Sequence, residues 1–212
     1  MTKNIDSLLS NNKKLYTIKE LKSLDLSYYI INKLVKQNKL QKLSYNVYEN
    51  TNYKGQESDF YYVTAFVPFG IICLMSAAVY YNLTTYIPNE INVAIERSHK
   101  VSTLPEWPPI NIVYYSKKRS EIGVIKKKEA ENEFKIYDIE KTVIDIIYYR
   151  NKIGIEQTKE ILLNYLSLPQ HNLNKLHQYA KLLNCEKILN TYMEVLIWNL
   201  QLQLKKSLKI LP

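Results

Sequence analysis

Residues 17–50, "TIKELKSLDLSYYIINKLVKQNKLQKLSYNVYEN", hold two helix starts and an alternating tail, and their order decides the fold. Thr17 stands three residues before Glu20, the spacing of a capping box, in which each side chain satisfies the other residue's free backbone N–H. A helix therefore starts at Thr17. Ser27 is a suitable N-cap for a second helix from Tyr28 to about Gln37, and Asn38 stops it because asparagine tolerates left-handed backbone. Two helices joined by so short a turn have helix-turn-helix geometry. After Asn38, "KLQKLSYNVYEN" alternates around Leu40, Leu43 and Val47 with a turn at Tyr45-Asn46, the pattern of a small β-hairpin, or wing. Upstream, "NIDSLLSN" (4–11) reads as a short first helix, so the segment is expected to be a winged helix-turn-helix.

The helix from Tyr28 decides what such a fold is for. Ile30, Ile31, Leu34 and Val35 recur at the spacing that faces a core, which leaves Tyr28, Tyr29, Asn32, Lys33, Lys36 and Gln37 outward. That outer face has no acid. An ordinary solvated face mixes signs for i,i+4 pairing, whereas a helix laid into the major groove uses Lys on phosphates and Asn or Gln on base edges. Lys42, Tyr45 and Asn46 of the wing are then candidates for the DNA backbone or minor groove. The plain alternative is a lysine-rich solvent face with tyrosines folded over the domain edge.

Charge agrees with an acidic partner and goes no further. The net charge of +9 raises the local concentration of polyanions, and the first fifty residues carry nine Lys against Asp6, Glu20, Asp25 and Glu49. Further basic clusters lie at residues 117–128, "KKRSEIGVIKKK", and in the C-terminal "LKKSLKILP" at residues 205–209; a solvated hairpin and a frayed tail are their default readings. Cys73 and Cys185 are the only cysteines, each beside apolar residues, which fits buried thiols in a reducing cytoplasm. The N-terminus has no apolar run suited to a signal peptide. Phe60 to Asn82 has no charge, but Pro68, Phe69 and Gly70 would break a spanning helix, so a short helix or strand, a turn and a buried helix are expected there.

Beyond the polar stretch "ENTNYKGQESD" the pattern changes. "INVAIE" and "INIVYYS" alternate like strands, "SKKRSEIGVIKKKEAENEFKIY" suggests more strands with a basic turn, and from "DIEKTVIDIIYYRN" onward the periodicity is helical. Strands followed by helices imply an α+β lobe, with a mixed or antiparallel sheet and C-terminal helices covering one side. The expected domains are residues 1–55 and 56–212. A long last helix is expected from Cys185, with Leu189, Met193, Leu196, Leu200 and Leu204 along one side.

Enzyme chemistry is not visible in the sequence. The four glycines are too scattered to cradle a phosphate, and His99, His171 and His177 lack metal-site spacing with either cysteine. "EFK" at Glu133–Lys135 is half of a nuclease carboxylate-lysine motif without a preceding Asp. No catalytic residue, metal ligand or cofactor is therefore assigned.

The order of these motifs resembles the AbiEi family of antitoxins from bacterial phage-defence operons of the type IV toxin–antitoxin class. Residues 16–50 resemble its winged helix-turn-helix, "LMSAAVYYNLTTYIPNEINVAIE" its Ser-Ala helix, Leu-Thr turn and strand, and "IYDIEKTVIDII" its Glu-Lys-Thr helix start, where Glu140, Lys141, Thr142 and Asp145 match together. Asp25, Asn38 and Asn46 depart from the Gly frequent at these turns, and Lys, Tyr and Asn stand where the recognition helix often has Arg. The resemblance implies an antitoxin that represses its own promoter through residues 1–55 and counters a nucleotidyltransferase-like toxin, directly or indirectly, through residues 56–212. It also implies Glu140, Lys141, Thr142 and Asp145 as candidates for a functional surface; because repressors commonly read inverted repeats, operator DNA of that kind with two copies on it is expected as a partner, and no membrane. The other reading of those four is a capped helix start. A protein-interaction module whose winged domain binds a partner and never DNA is the rival function.

Overall fold

A computed structural model describes residues 13–55, 58–129 and 132–196, so the expected helix at residues 4–11 lies outside the described residues. The chain is α+β, and its contacts group it into two compact units, Met1–Cys73 with Pro88–Tyr137 and Leu74–Ile87 with Asp138–Pro212.

The first unit begins with the winged helix. Strand β1 (Leu15–Thr17) leads into α1 (Ile18–Ser23), then α2 (Tyr28–Lys36), β2 (Leu40–Lys42) and β3 (Val47–Asn50), and the strands form an antiparallel sheet in the order β1-β3-β2. The capping box is complete: the Thr17 amide donates to Glu20 Oε2 at 2.8 Å and the Glu20 amide to Thr17 Oγ1 at 3.3 Å. Ser27 caps α2 through the Ile30 amide. One apolar cluster joins Tyr16, Leu21, Leu26, Ile31, Leu34, Leu40 and Tyr48, so both helices and all three strands share a core.

Both helices stop in the same way. Asp25 (φ 63) and Asn38 (φ 54) take the left-handed conformation, and the two amides that follow each helix reach back in the paired bonds of a Schellman motif. These are Asp25 N–H to Lys22 O with Leu26 N–H to Leu21 O, and Asn38 N–H to Val35 O with Lys39 N–H to Leu34 O. Asp and Asn thus do the work that glycine usually does at this position. Asn46 at the wing has no positive φ, so its turn needs no glycine.

The rest of the unit is α3 (Phe60–Phe66), β4 (Ile71–Ile72), β5 (Ile91–Glu96), β6 (Ile110–Tyr115), α5 (Lys117–Glu121), β7 (Val124–Glu129) and β8 (Asn132–Tyr137). The sheet order is β6-β5-β4-β8-β7, mixed, with β5–β6 and β4–β8 parallel and the other pairs antiparallel. The basic segment 117–128 therefore starts as a short helix and continues as an edge strand. The winged-helix segment is not isolated from this sheet: the Lys14 amide donates to Asn132 Oδ1 at 3.2 Å, and Asn132 Nδ2 donates to Tyr53 OH at 3.4 Å. A cut at residue 55 would run through these contacts.

The second unit is helical. It contains α4 (Leu74–Tyr80), α6 (Ile139–Tyr148), α7 (Arg150–Ile153), α8 (Ile155–Ser167), α9 (Leu173–Leu182) and a helical segment over residues 186–196. These helices pack on one another around α6, whose residues from Glu140 to Ile147 are all buried. Leu189 and Leu196 of the last segment are buried as its spacing suggests, while Leu200 and Leu204 lie outside the described residues. The uncharged stretch at residues 60–82 is α3, a turn, β4 and α4, and no helix among the described residues is long and apolar enough to cross a membrane.

Two measurements follow from the winged helix. Replacing Asn38 by Gly keeps or raises the melting temperature, whereas Asn38→Val destabilises by about 1–2 kcal/mol because a β-branched residue resists left-handed backbone. Partial burial pushes the Glu20 carboxyl up, but Lys13 and the Thr17 amide pull it down further and hold it below the ordinary range. The stability it contributes is therefore complete above the ordinary glutamate pKa and is lost as pH falls through the lower folded value. Urea unfolding across an acid pH series checks this: Glu20→Gln lowers neutral-pH stability and flattens the acid loss.

Candidate nucleic-acid interface

The apolar stripe of α2 fixes its orientation. Ile31 and Leu34 are buried in the winged-helix core, with Ile30 and Val35 packed against it, so the opposite face is turned out. Tyr29 is 79% exposed and Tyr28 54%, and Asn32, Lys33, Lys36 and Gln37 are exposed as well. Tyr29, Asn32, Lys33 and Lys36 follow the i, i+3, i+4 spacing, which puts them on one stripe. Among the described residues no acid pairs with Lys33 or Lys36.

The wing is braced from two sides. The Leu43 and Ser44 amides donate to the Val47 carbonyl at 3.0 and 3.2 Å, closing the turn. The Asn46 carbonyl accepts from the Ile18 amide at 2.8 Å, which ties the wing to the start of α1. Tyr45 is 82% exposed, and Lys42 and Asn46 are exposed beside it. All nine DNA-contact candidates thus reach solvent, six on α2 and its C-cap and three on the wing.

One residue joins them that the sequence pattern did not single out. Lys22, in the last turn of α1, holds its Nζ 4.0 Å from the centre of the Tyr28 ring, a cation–π contact across the helix-turn-helix turn. The two lie six positions apart through a left-handed residue, so no helical or strand periodicity links them. Other lysines are taken inward: Lys13 pairs with Glu20, and the mostly buried Lys14 pairs with Glu49 at 3.6 Å. In the segment 117–128, Arg119 is buried beside the Tyr115 ring and Lys126 pairs with Glu133. Residues 205–209 lie outside the described residues.

The four candidates on α6 do not form a surface. Glu140, Lys141, Thr142 and Asp145 are all buried. Asp138 caps the helix, accepting from the Lys141 amide at 2.9 Å, and the Thr142 hydroxyl donates to the Asp138 carbonyl. The Lys141 ammonium turns along the helix onto Asp145, a buried i,i+4 pair. Lys175 of α9 bridges Asp138 and Glu140 at 3.1 and 2.9 Å; burial alone would lower its pKa, but the two carboxylates raise it. Burial and the neighbouring Asp138 push the Tyr179 phenol up to about 12. These contacts either cap and brace α6 itself or tie it to α9 within the second unit, which is the capped-helix reading of the four residues. Sequence could supply their spacing but not the burial that α4, α8 and α9 impose.

Among the described residues no group of three or more His, Cys, Asp and Glu could hold a metal ion. His99 is exposed and stacks on Phe69, and the exposed His171 and half-buried His177 each have Nδ1 on a backbone carbonyl. The buried pair makes a sharp prediction: Lys141→Ala removes one charge of the pair and costs about 3–5 kcal/mol, whereas Lys141→Met with Asp145→Leu restores most of that loss, as thermal or denaturant unfolding will show. No protein-family model matches the chain, and no curated protein matches it.

Proposed function

We propose that this chain is a DNA-binding autorepressor and antitoxin of the AbiE type. Its winged helix binds operator DNA with α2 in the major groove, and the wing lies along the backbone or minor groove. The observation that supports this reading is the acid-free outer face of α2, turned to solvent by its own core and continued by an exposed wing. A solvated face would not need three exposed tyrosines among its cations. The antitoxin part, and the nucleotidyltransferase-like toxin it would counter directly or indirectly, rest on the pattern of residues shared with the AbiEi family. In this reading the chain acts in the cytoplasm, takes no cofactor, catalyses nothing, and binds as two copies on inverted repeats, since repressors of this build mirror the symmetry of their sites.

The exposed Tyr28, Tyr29 and Tyr45 also favour a second reading, because tyrosine is enriched where proteins meet proteins. There the winged helix docks a protein partner and the lysines serve only as a charged coat.

Gel-shift binding to the DNA upstream of the gene, against random DNA of equal length at two salt concentrations, separates the two. The repressor prefers the upstream DNA at both salts, and Lys36→Ala weakens binding to both DNAs and flattens the salt slope by about one unit. Binding that is equal on both DNAs and vanishes with salt sinks the repressor.

A further inference from the structure

The outward stripe of α2 has phenols, an amide and ammonium groups but no guanidinium, and that inventory limits the base pairs it reads. No arginine precedes Arg97 in the sequence, so the described winged helix lacks the side chain that most often grips guanine O6 and N7. Lysine also pairs with guanine, but Lys33 and Lys36 stand in the last turn of α2, while a recognition helix meets base edges with its N-terminal residues. The exposed positions nearer that end are Tyr28, Tyr29 and Asn32. Tyr28 is engaged by Lys22, whose ammonium over the ring puts a cation at the edge of the helix, where phosphates run. Tyr29 and Asn32 remain, one helical turn apart, with Tyr29 the most exposed side chain of α2 among its large hydrophobics.

Resting on the DNA-binding reading above, we infer that Tyr29 and Asn32 read A·T base pairs in the major groove. The Asn32 amide matches the adenine pair of N7 acceptor and N6 donor, and the Tyr29 ring gives the thymine C5-methyl an apolar contact. The expected target is duplex DNA with A·T pairs where α2 enters. Tyr28 and Lys22 act beside it as a sequence-independent anchor, so losing either weakens binding to all duplexes alike.

Selection of the full-length chain on a pool of short random duplexes tests this, followed by replacing each enriched thymine with deoxyuridine, which lacks only the methyl. Wild type loses about fourfold in affinity at one thymine, the worth of one buried methyl-sized group. Tyr29→Ala binds thymine and deoxyuridine duplexes equally, Tyr29→Phe keeps the difference, and Asn32→Ala loses roughly fivefold or more of the preference for A·T over G·C at the read pair. Both side chains are exposed, so circular dichroism melts of the variants match wild type. An enriched motif with G·C pairs at the α2 position, or equal binding to thymine and deoxyuridine by wild type, overturns the inference and leaves DNA binding standing. Failure to enrich any duplex overturns both.

Discussion

Ile31 and Leu34 determine which way α2 faces. Their burial against Tyr16, Leu21, Leu26, Leu40 and Tyr48 is the contact on which the winged helix depends, because it joins both helices to all three strands. Truncating a fully buried side chain of this kind typically costs about 2–5 kcal/mol, a large share of the stability of a small domain. The same contact presents Tyr29, Asn32, Lys33 and Lys36 to solvent as one stripe. Fold and interface are therefore two sides of one helix, and a substitution that rotates α2 would damage both.

Much of this was legible before any coordinates. The Thr17–Glu20 box, the Ser27 cap and the alternation after Asn38 are local devices, each written in a few adjacent residues, and each forms as its spacing suggests. The strands at residues 91–96 and 110–115 and the helix starting after Asp138 were equally plain. What the pattern could not convey were the choices made by long-range packing. Asn132, 118 positions away, meets Lys14 and joins the winged helix to the larger sheet, which no local signal marks. Lys22 meets Tyr28 only because the left-handed Asp25 swings the chain round.

The α6 residues show the limit most clearly. Glu140, Lys141 and Asp145 carry charges that belong at a surface on statistical grounds, and a lysine is rarely buried unless paired. Here the pairing exists: Lys141 with Asp145 inside the helix, and Lys175 between Asp138 and Glu140. A motif of polar residues can therefore be a device for assembling helices, and its spacing alone does not distinguish that from a binding site. Buried ion pairs contribute little net stability over apolar replacements, yet they penalise wrong packings heavily, since any slip leaves a charge without its partner.

The left-handed helix stops extend beyond the winged helix. Asn82 (φ 55) ends α4 and Asn184 (φ 57) ends α9, with Leu83 N–H returning to Ala78 O and Cys185 N–H to Ala180 O as in the first two. Four helices in a chain with four glycines thus end on Asp or Asn. A glycine at each stop would relieve strain in the folded state, but it would also widen the range of conformations open to the unfolded chain. Asn and Asp accept local strain in exchange for a stiffer unfolded chain. Part of what keeps this protein folded thus lies outside its native contacts, in disorder that the unfolded chain never gains.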